Sequence, residues 1–266
     1  MRAVLSTCVL VLWSLIACGG ERQSPQGPTP IGGAPVWADE FDRDGLPDRS
    51  RWDYEVGFIR NNERQYYTRE RAENARVENG LLVIEARRER FEGADYTSAS
   101  LTSRANWTYG RIEVRARLPK GRGTWPAVWT LGANIGQAGW PACGEIDIME
   151  HVGFDPGRVH ANIHTTAYNH VKQTNKGNNI LVPGADGAFH VYAAAWTPDS
   201  IAMSVDGQQY FTFSKEPGGD SVWPFDKPQY LILNLAIGGN WGGQRGIDDA
   251  AFPARYEVDY VRVFGR

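Results

Sequence analysis

The chain has 266 residues, 42% of them hydrophobic and 22% charged, enough to bury a substantial core in one large domain or two small ones. Its net charge is −3 and its 28 Lys and Arg are scattered, which argues against a nucleic-acid partner, since a phosphate-binding groove needs clustered cations. Two of the three cysteines lie in the first twenty residues, so the body of the chain holds only Cys143, with no partner for a disulfide and no CxxC metal spacing.

The N-terminus reads as an export signal. Arg2 supplies the positive start, and "AVLSTCVLVLWSLIAC" is an apolar run too short to span a bilayer comfortably. "LIAC" followed by Gly19-Gly20 resembles a bacterial lipobox, in which the cysteine is lipidated and becomes the first residue of the mature chain. On that reading residues 1–17 are the signal peptide and Cys18 carries the lipid; an ordinary secretory signal is the alternative. Either makes the protein an exported one, a cell-envelope lipoprotein or a secreted protein, touching a membrane only through the N-terminal anchor.

Residues 18–35, with "GERQSPQGPTPIGGAP", are rich in Gly, Pro, Ser and Gln and read as a flexible tether. The folded domain is expected to fill 36–266, with no second linker and no repeat, and a lone tethered domain of this kind is expected to be a monomer.

That domain reads as nearly all β. The runs "LLVIEARRE", "TSRANWTYGRIEVRARLP", "EIDIMEHV", "VHANIHTTAY", "FHVYAAAWTPDSIAMSVDGQQYF", "YLILNLAIGG" and "YEVDYVRVFGR" are rich in Val, Ile, Tyr, Trp and Thr and alternate with period two. Turn signals separate them at Asn79-Gly80, Pro119-Lys120-Gly121, Thr197-Pro198-Asp199 and Asp206-Gly207. No stretch sustains helical spacing for three turns. The pattern indicates an antiparallel β-sandwich of jelly-roll type.

Within "CGEIDIMEHV", alternation puts Glu145 and Asp147 on one strand face and Ile146 and Ile148 on the other. Strict continuation would turn Glu150 into the apolar face, where an unpaired carboxylate costs several kcal/mol, on the order expected for a buried ion. A β-bulge at Met149 removes the conflict and returns Glu150 to the acid face. Three carboxylates in a row suit a retaining glycosidase, in which one attacks the anomeric carbon and another protonates the departing oxygen. Asp147, between them, would hydrogen-bond the nucleophile and set protonation states. A Ca²⁺ site or a solvated acidic face is the alternative, but one strand lacks the loop that wraps Ca²⁺.

The aromatics point the same way. Trp125 and Trp129 in "GTWPAVWTLG" share a strand face just upstream of the acids, and Trp107, Trp140 and Trp241 sit in polar or Gly-rich surroundings. Indole faces stack on sugar rings, and a row of them suits an extended polysaccharide; core packing is the alternative for each. Trp129 and Trp241 are the strongest candidates, because "GNWGG" is too glycine-rich for ordinary core strand. Alternation in "HANIH" also puts His160, Asn162 and His164 on one face.

The bulged motif Glu145-Ile-Asp147-Ile-Met-Glu150 resembles the signature of glycoside hydrolase family 16, and within it the laminarinase-type endo-β-1,3-glucanases. Further similar stretches, in family order, are "WADEFD", "NNERQYYT", "ENGLLVIEAR", "SRANWTYGRIEVRARLPKGRGTWPAVWTLG", "HANIHTTAYNH", "LILNLAIGGNWGG" and "VDYVRV". The resemblance implies an open cleft on the concave face of the jelly roll, retention of configuration, Glu145 as nucleophile, Asp147 as assisting acid and Glu150 as general acid/base. It further implies that Asn61 binds sugar hydroxyls, that Arg104 lies below the subsite nearest the cleavage point, and that Trp125, Trp129 and His164 line the cleft. It requires no cofactor for catalysis, but implies a structural Ca²⁺ held by Glu40, the Gly80 carbonyl and Asp259. The implied substrate is a β-glucan: β-1,3-glucan (laminarin), with mixed-linkage β-1,3-1,4-glucan (lichenan) as a second. A strict lichenase, a galactan hydrolase and a non-catalytic β-glucan-binding module are the rival readings. The intact acid set speaks against the last.

Overall fold

The computed structural model describes residues 33–266. The expected signal peptide, Cys18 and the tether up to residue 32 lie outside the described residues. Among the described residues, seventeen strands form two sheets. The two α-helices, Ile135–Ala138 and Gly239–Gly242, are single turns. The β-sandwich expected from the short alternating runs is what the chain adopts.

One sheet runs, edge to edge, through Gln208–Ser214, Ser200–Val205, His190–Trp196, Gly110–Arg117, Ala254–Phe264, Leu81–Phe91, Ala94–Ser98 and Gln65–Tyr67. Trp37–Asp39 and Ala75–Glu78 add to it beside Ala254–Phe264 and Leu81–Phe91. The other sheet runs through Lys176–Leu181, Arg158–His164, Glu145–His151, Thr124–Gly132, Gln229–Ile237, Ser100–Trp107 and Trp52–Tyr54. Local chemistry closes the hairpins. Asn79-Gly80 and Asp206-Gly207 both have two successive positive φ angles, 54° and 74°, then 49° and 79°. Such pairs twist a two-residue turn to match the strands, and only Gly, Asn and Asp adopt them at little cost.

The core lies between the sheets. Ile146, Ile148, Met149, Val128, Val159, Ile163, Leu231 and Leu233 of the second sheet pack in the same buried cluster as Ile112, Val114, Tyr192, Tyr256 and Val258 of the first. Each large side chain so removed from water contributes roughly 1.5–3 kcal/mol, which fixes which face of the acid-bearing strand points inward. The other face of the second sheet is left for the site.

The bulge is present. Against Thr124–Gly132, Asp147 pairs with Trp129 and Met149 with Val128, so Ile148 has no partner of its own. Against Arg158–His164 the register also shifts between Asp147 and Glu150. Ile148 and Met149 both enter the core, and Glu150 emerges on the side of Asp147. Trp107 does not reach the site. It packs edge-on to Trp37, ring centroids 5.3 Å apart, against the core cluster.

Candidate active site

The second sheet carries a cleft of about 440 Å³ with Glu145, Asp147 and Glu150 among its lining residues. Strand pairing sets a second polar row beside the acids: Glu145 lies opposite His164, Asp147 opposite Asn162 and Glu150 opposite His160. The "HANIH" alternation thus supplies one neighbour for each carboxylate.

Each acid has different partners. Trp140 Nε1 donates to Glu145 Oε2 at 2.8 Å. Trp125 Nε1 donates to Glu150 Oε1 at 3.0 Å, and Asn162 Nδ2 to Glu150 Oε2 at 3.3 Å. Asp147, 3% exposed, has His164 Nε2 at 3.2 Å from its Oδ2, but that oxygen accepts no hydrogen bond. Burial raises all three carboxyls, and like-charge repulsion adds to it at Glu145 and Asp147. Burial first, then the charge of Asp147, pushes Glu145 up to about 8, against the opposing influence of His164 and Trp140. Burial, with the charge of Glu150 behind it, lifts Asp147 well above the carboxylate range. Burial also raises Glu150, against His164, Trp125 and Asn162. Three carboxylates buried side by side repel one another when ionised, so protonation of one eases ionisation of the next.

Asn61, Trp125 and Trp129 line the cleft as expected. Trp241 supports the wall from outside: its ring stands edge-on to Trp125 at 5.5 Å and to His160 at 4.9 Å, and it is not itself a lining residue. That corrects the expectation that Trp241 stacks on the sugar, and two further expectations need correction. Arg104 does not reach the cleft. Its guanidinium is drawn to the carbonyl of Arg49 at 2.6 Å and to Asp53 at 3.2 Å, at the sheet edge formed by Trp52–Tyr54. His164 is not an open wall residue either. It is buried beside Asp147, and its Nε2 lies 3.6 Å from Glu145 Oε1, so it acts on the carboxylates rather than lining the cleft.

The arginine that does line the cleft is Arg60, stacked over Trp129 at 4.8 Å and paired with Glu55. Glu55, Glu63, Trp140, His170, Tyr230 and Asn234 complete the polar and aromatic lining. Glu63 stands inside the quoted "NNERQYYT", two residues from Asn61, and a charge so placed was a usable signal. Arg60 and Glu55 lie between the quoted "WADEFD" and "NNERQYYT" and gave none.

The residues implied for calcium lie around one strand, Ala254–Phe264. Trp37–Asp39 and Leu81–Phe91 both pair with Ala254–Phe264, and Gly110–Arg117 occupies its other edge. The register therefore brings Glu40 and Gly80 towards Asp259, between the two pairings. Two carboxylates and a carbonyl are hard oxygen donors of the kind Ca²⁺ takes. The carboxylates are neutralised by arginines, Glu40 accepting from Arg262 at 2.8 Å through both oxygens and Asp259 from Arg115 at 2.5 Å. The donor types suit the ion, but in this arrangement both carboxylates are taken by arginine.

Residues 62–262 match the model of "Glycosyl hydrolases family 16". The chain is 52% identical to a "Beta-glucanase" of Rhodothermus marinus, over 99% of this chain and 96% of that protein. The solved laminarinase of the same organism superposes with a TM-score of 0.84 at 56% identity, covering 87% of this chain and 96% of that one. A structure of a non-specific endo-β-1,3(4)-glucanase of the family, co-crystallised with 1,3-β-D-cellotriosyl-glucose, superposes with a TM-score of 0.86 at 48% identity, covering 91% and 97%.

Proposed function

The chain belongs to glycosyl hydrolases family 16, and from that premise we propose that it is an endo-β-glucanase that cleaves β-1,3-glucan, and mixed-linkage β-1,3-1,4-glucan as a second substrate. The observation that carries this reading is the row of three carboxylates along one bulged strand, lining a cleft walled by Trp125, Trp129 and Trp140. The non-specific endo-1,3(4) activity of the similar solved enzyme supports both substrates.

The residues divide the work as follows. Glu145 attacks the anomeric carbon and forms a glycosyl-enzyme ester. Glu150, protonated in the resting state, gives its proton to the departing glycosidic oxygen, then takes one from the water that hydrolyses the ester. Asp147 holds a second proton and shares it with Glu145, so that the trio bears about one negative charge, which like-charge repulsion and burial favour. That charge must reside on Glu145 when it attacks. The Trp140 N–H favours the ionised form there.

The direct test is reducing-sugar release from laminarin and lichenan, with Glu145→Gln as the blank and NMR of the first-formed anomer. Release of β-anomer by the parent alone is expected. Release from neither glucan would sink the reading, and α-anomer would sink the covalent intermediate.

The domain at 36–266 is proposed to act as a monomer, exported behind the signal at 1–17 and tethered through lipidated Cys18. No helix among the described residues is long and apolar enough to cross a membrane. Catalysis needs no cofactor; a structural Ca²⁺ at Glu40, Gly80 and Asp259 remains part of the proposal.

A further inference from the structure

Behind the cleft wall runs a chain of hydrogen bonds whose polarity is fixed from one end. The indole Nε1 of Trp129 can only donate, and it does so to Asn234 Oδ1 at 2.8 Å. That sets the Asn234 amide, whose Nδ2 then donates to Tyr67 Oη at 3.0 Å. Tyr67, fully buried, therefore turns its own proton to Glu63 Oε2 at 3.1 Å. A second donor reaches the same oxygen. The backbone N–H of Ile237 donates to Gln65 Oε1 at 2.7 Å, which leaves Gln65 Nε2 to donate to Glu63 Oε2, also at 2.7 Å.

With Oε2 receiving two donors, Glu63 Oε1 is left for Asn61, whose Nδ2 lies 3.4 Å away. Asn61 itself is held by its backbone: φ is 55°, and its carbonyl accepts from the Asn240 N–H at 2.8 Å. Glu63 and Asn61 both line the cleft, and Glu63 is 8% exposed. A carboxylate can only accept, so it selects the nitrogen end of the Asn61 amide. The oxygen end is turned the other way.

We propose that Glu63 is a positioning residue for the substrate: it holds the Asn61 amide so that its oxygen, an acceptor, is the atom presented to a glucan hydroxyl. The proposal rests on the reading of the cleft as a glucan site. It makes a polarity prediction that a merely structural role for Glu63 does not. In Glu63→Gln, the two donors at Oε2 keep the new amide oxygen, and its NH₂ faces Asn61. Asn61 then flips and offers the sugar a donor. In the double variant Asn61→Asp/Glu63→Gln, the aspartate accepts from that NH₂ and again shows an oxygen to the cleft.

The experiment is steady-state kinetics on laminarin oligosaccharides, with thermal melts of every variant. Losing one neutral hydrogen bond to the sugar, worth about 1 kcal/mol, predicts a KM roughly fivefold higher for Glu63→Gln with kcat little changed, and recovery of most of that loss in the double variant. An unchanged KM in Glu63→Gln, or a double variant no better than the single one, would overturn the proposal. Should Glu63→Gln not fold, Asn61→Asp alone opposes two carboxylates and must raise KM; an unchanged KM there overturns it equally. A parent inactive on laminarin and lichenan would instead refute the glucanase reading. Calorimetric binding of laminaritetraose to the same variants would then decide Glu63 separately.

Discussion

Trp140 and Glu145 are joined by a 2.8 Å hydrogen bond from the indole nitrogen to Oε2, and Trp125 makes the matching 3.0 Å bond to Glu150. Two cleft-wall aromatics thus do double service: each shows a ring to the cleft and holds one glutamate by its edge. The bonds favour the ionised carboxylates against burial, which raises both.

Trp140→Phe keeps a ring and removes the donor. Glu145, already pushed up to about 8, then rises further, because the ionised form has lost a partner. The acid limb of the activity profile is expected to move to higher pH, with activity at neutral pH falling about tenfold, the size of one lost charge-assisted bond. A pH–kcat/KM profile with an unmoved acid limb would show that Trp140 matters only as a surface.

Glu145→Gln is expected to lower kcat by at least about a thousandfold, as loss of a nucleophile does, and to raise thermal stability. The folded-state value of Glu145 lies above its unfolded 4.5, so the folded protein binds more protons between 4.5 and about 8, and stability falls as pH rises through that window. The variant cannot ionise at 145. Its melting point should exceed the parent's by several degrees at pH 8, at about 2–4 °C per kcal/mol for a chain of this size, and the gap should close towards pH 5. Equal melting points at both pH values would contradict the raised carboxyl.

Deleting Met149 restores strict alternation, so Glu145, Asp147 and the displaced Glu150 still share a face. Activity is therefore expected to survive. The melting point should fall, because a fully buried methionine leaves the core, a loss of about 2–5 kcal/mol. The ratio of laminarin to lichenan hydrolysis reads what the bulge contributes to linkage choice. A folded but inactive deletion would show that the bulge aligns the acids in a way alternation alone cannot.

Calcium chloride is expected to raise the melting point, and chelator to lower it, with both effects lost in Asp259→Ala. Saturation at a hundred times Kd contributes about 2.7 kcal/mol. A melt indifferent to calcium would mean that the Arg262 and Arg115 pairs with Glu40 and Asp259 are themselves the stabilising arrangement.

Cys18→Ser is expected to move the expressed protein from the membrane fraction to the soluble exported fraction. Unchanged fractionation would leave only the ordinary secretory signal.

The reach of the sequence can be judged residue by residue. Asn79-Gly80 and Asp206-Gly207 announced their hairpins because only a few residue types accept their backbone angles. Shorter strands such as Trp37–Asp39, Gln65–Tyr67 and Lys176–Leu181 carried no alternation long enough to read. Trp107 and Trp241 looked alike in their polar and glycine-rich surroundings, yet one packs on Trp37 and the other braces Trp125. Which partner an aromatic ring finds is set by distant chain, not by its neighbours.

What the sequence determined by itself was the sandwich, the face shared by Glu145, Asp147 and Glu150, and the bulge that keeps them together. These follow from a local rule: alternation along a strand, with a severe cost for turning a carboxylate into the core. Tertiary structure alone decided the rest of the cleft. Arg60 and Glu63 enter it because the segment before Gln65–Tyr67 folds across the end of Gln229–Ile237, where the Arg64 N–H donates to Ile237 O at 2.8 Å. Arg104 is kept out because Asp53, on the adjoining strand, draws its charge to the edge. Loops have no period to betray where they cross a sheet, and an arginine is placed by whichever acceptor the fold sets nearest.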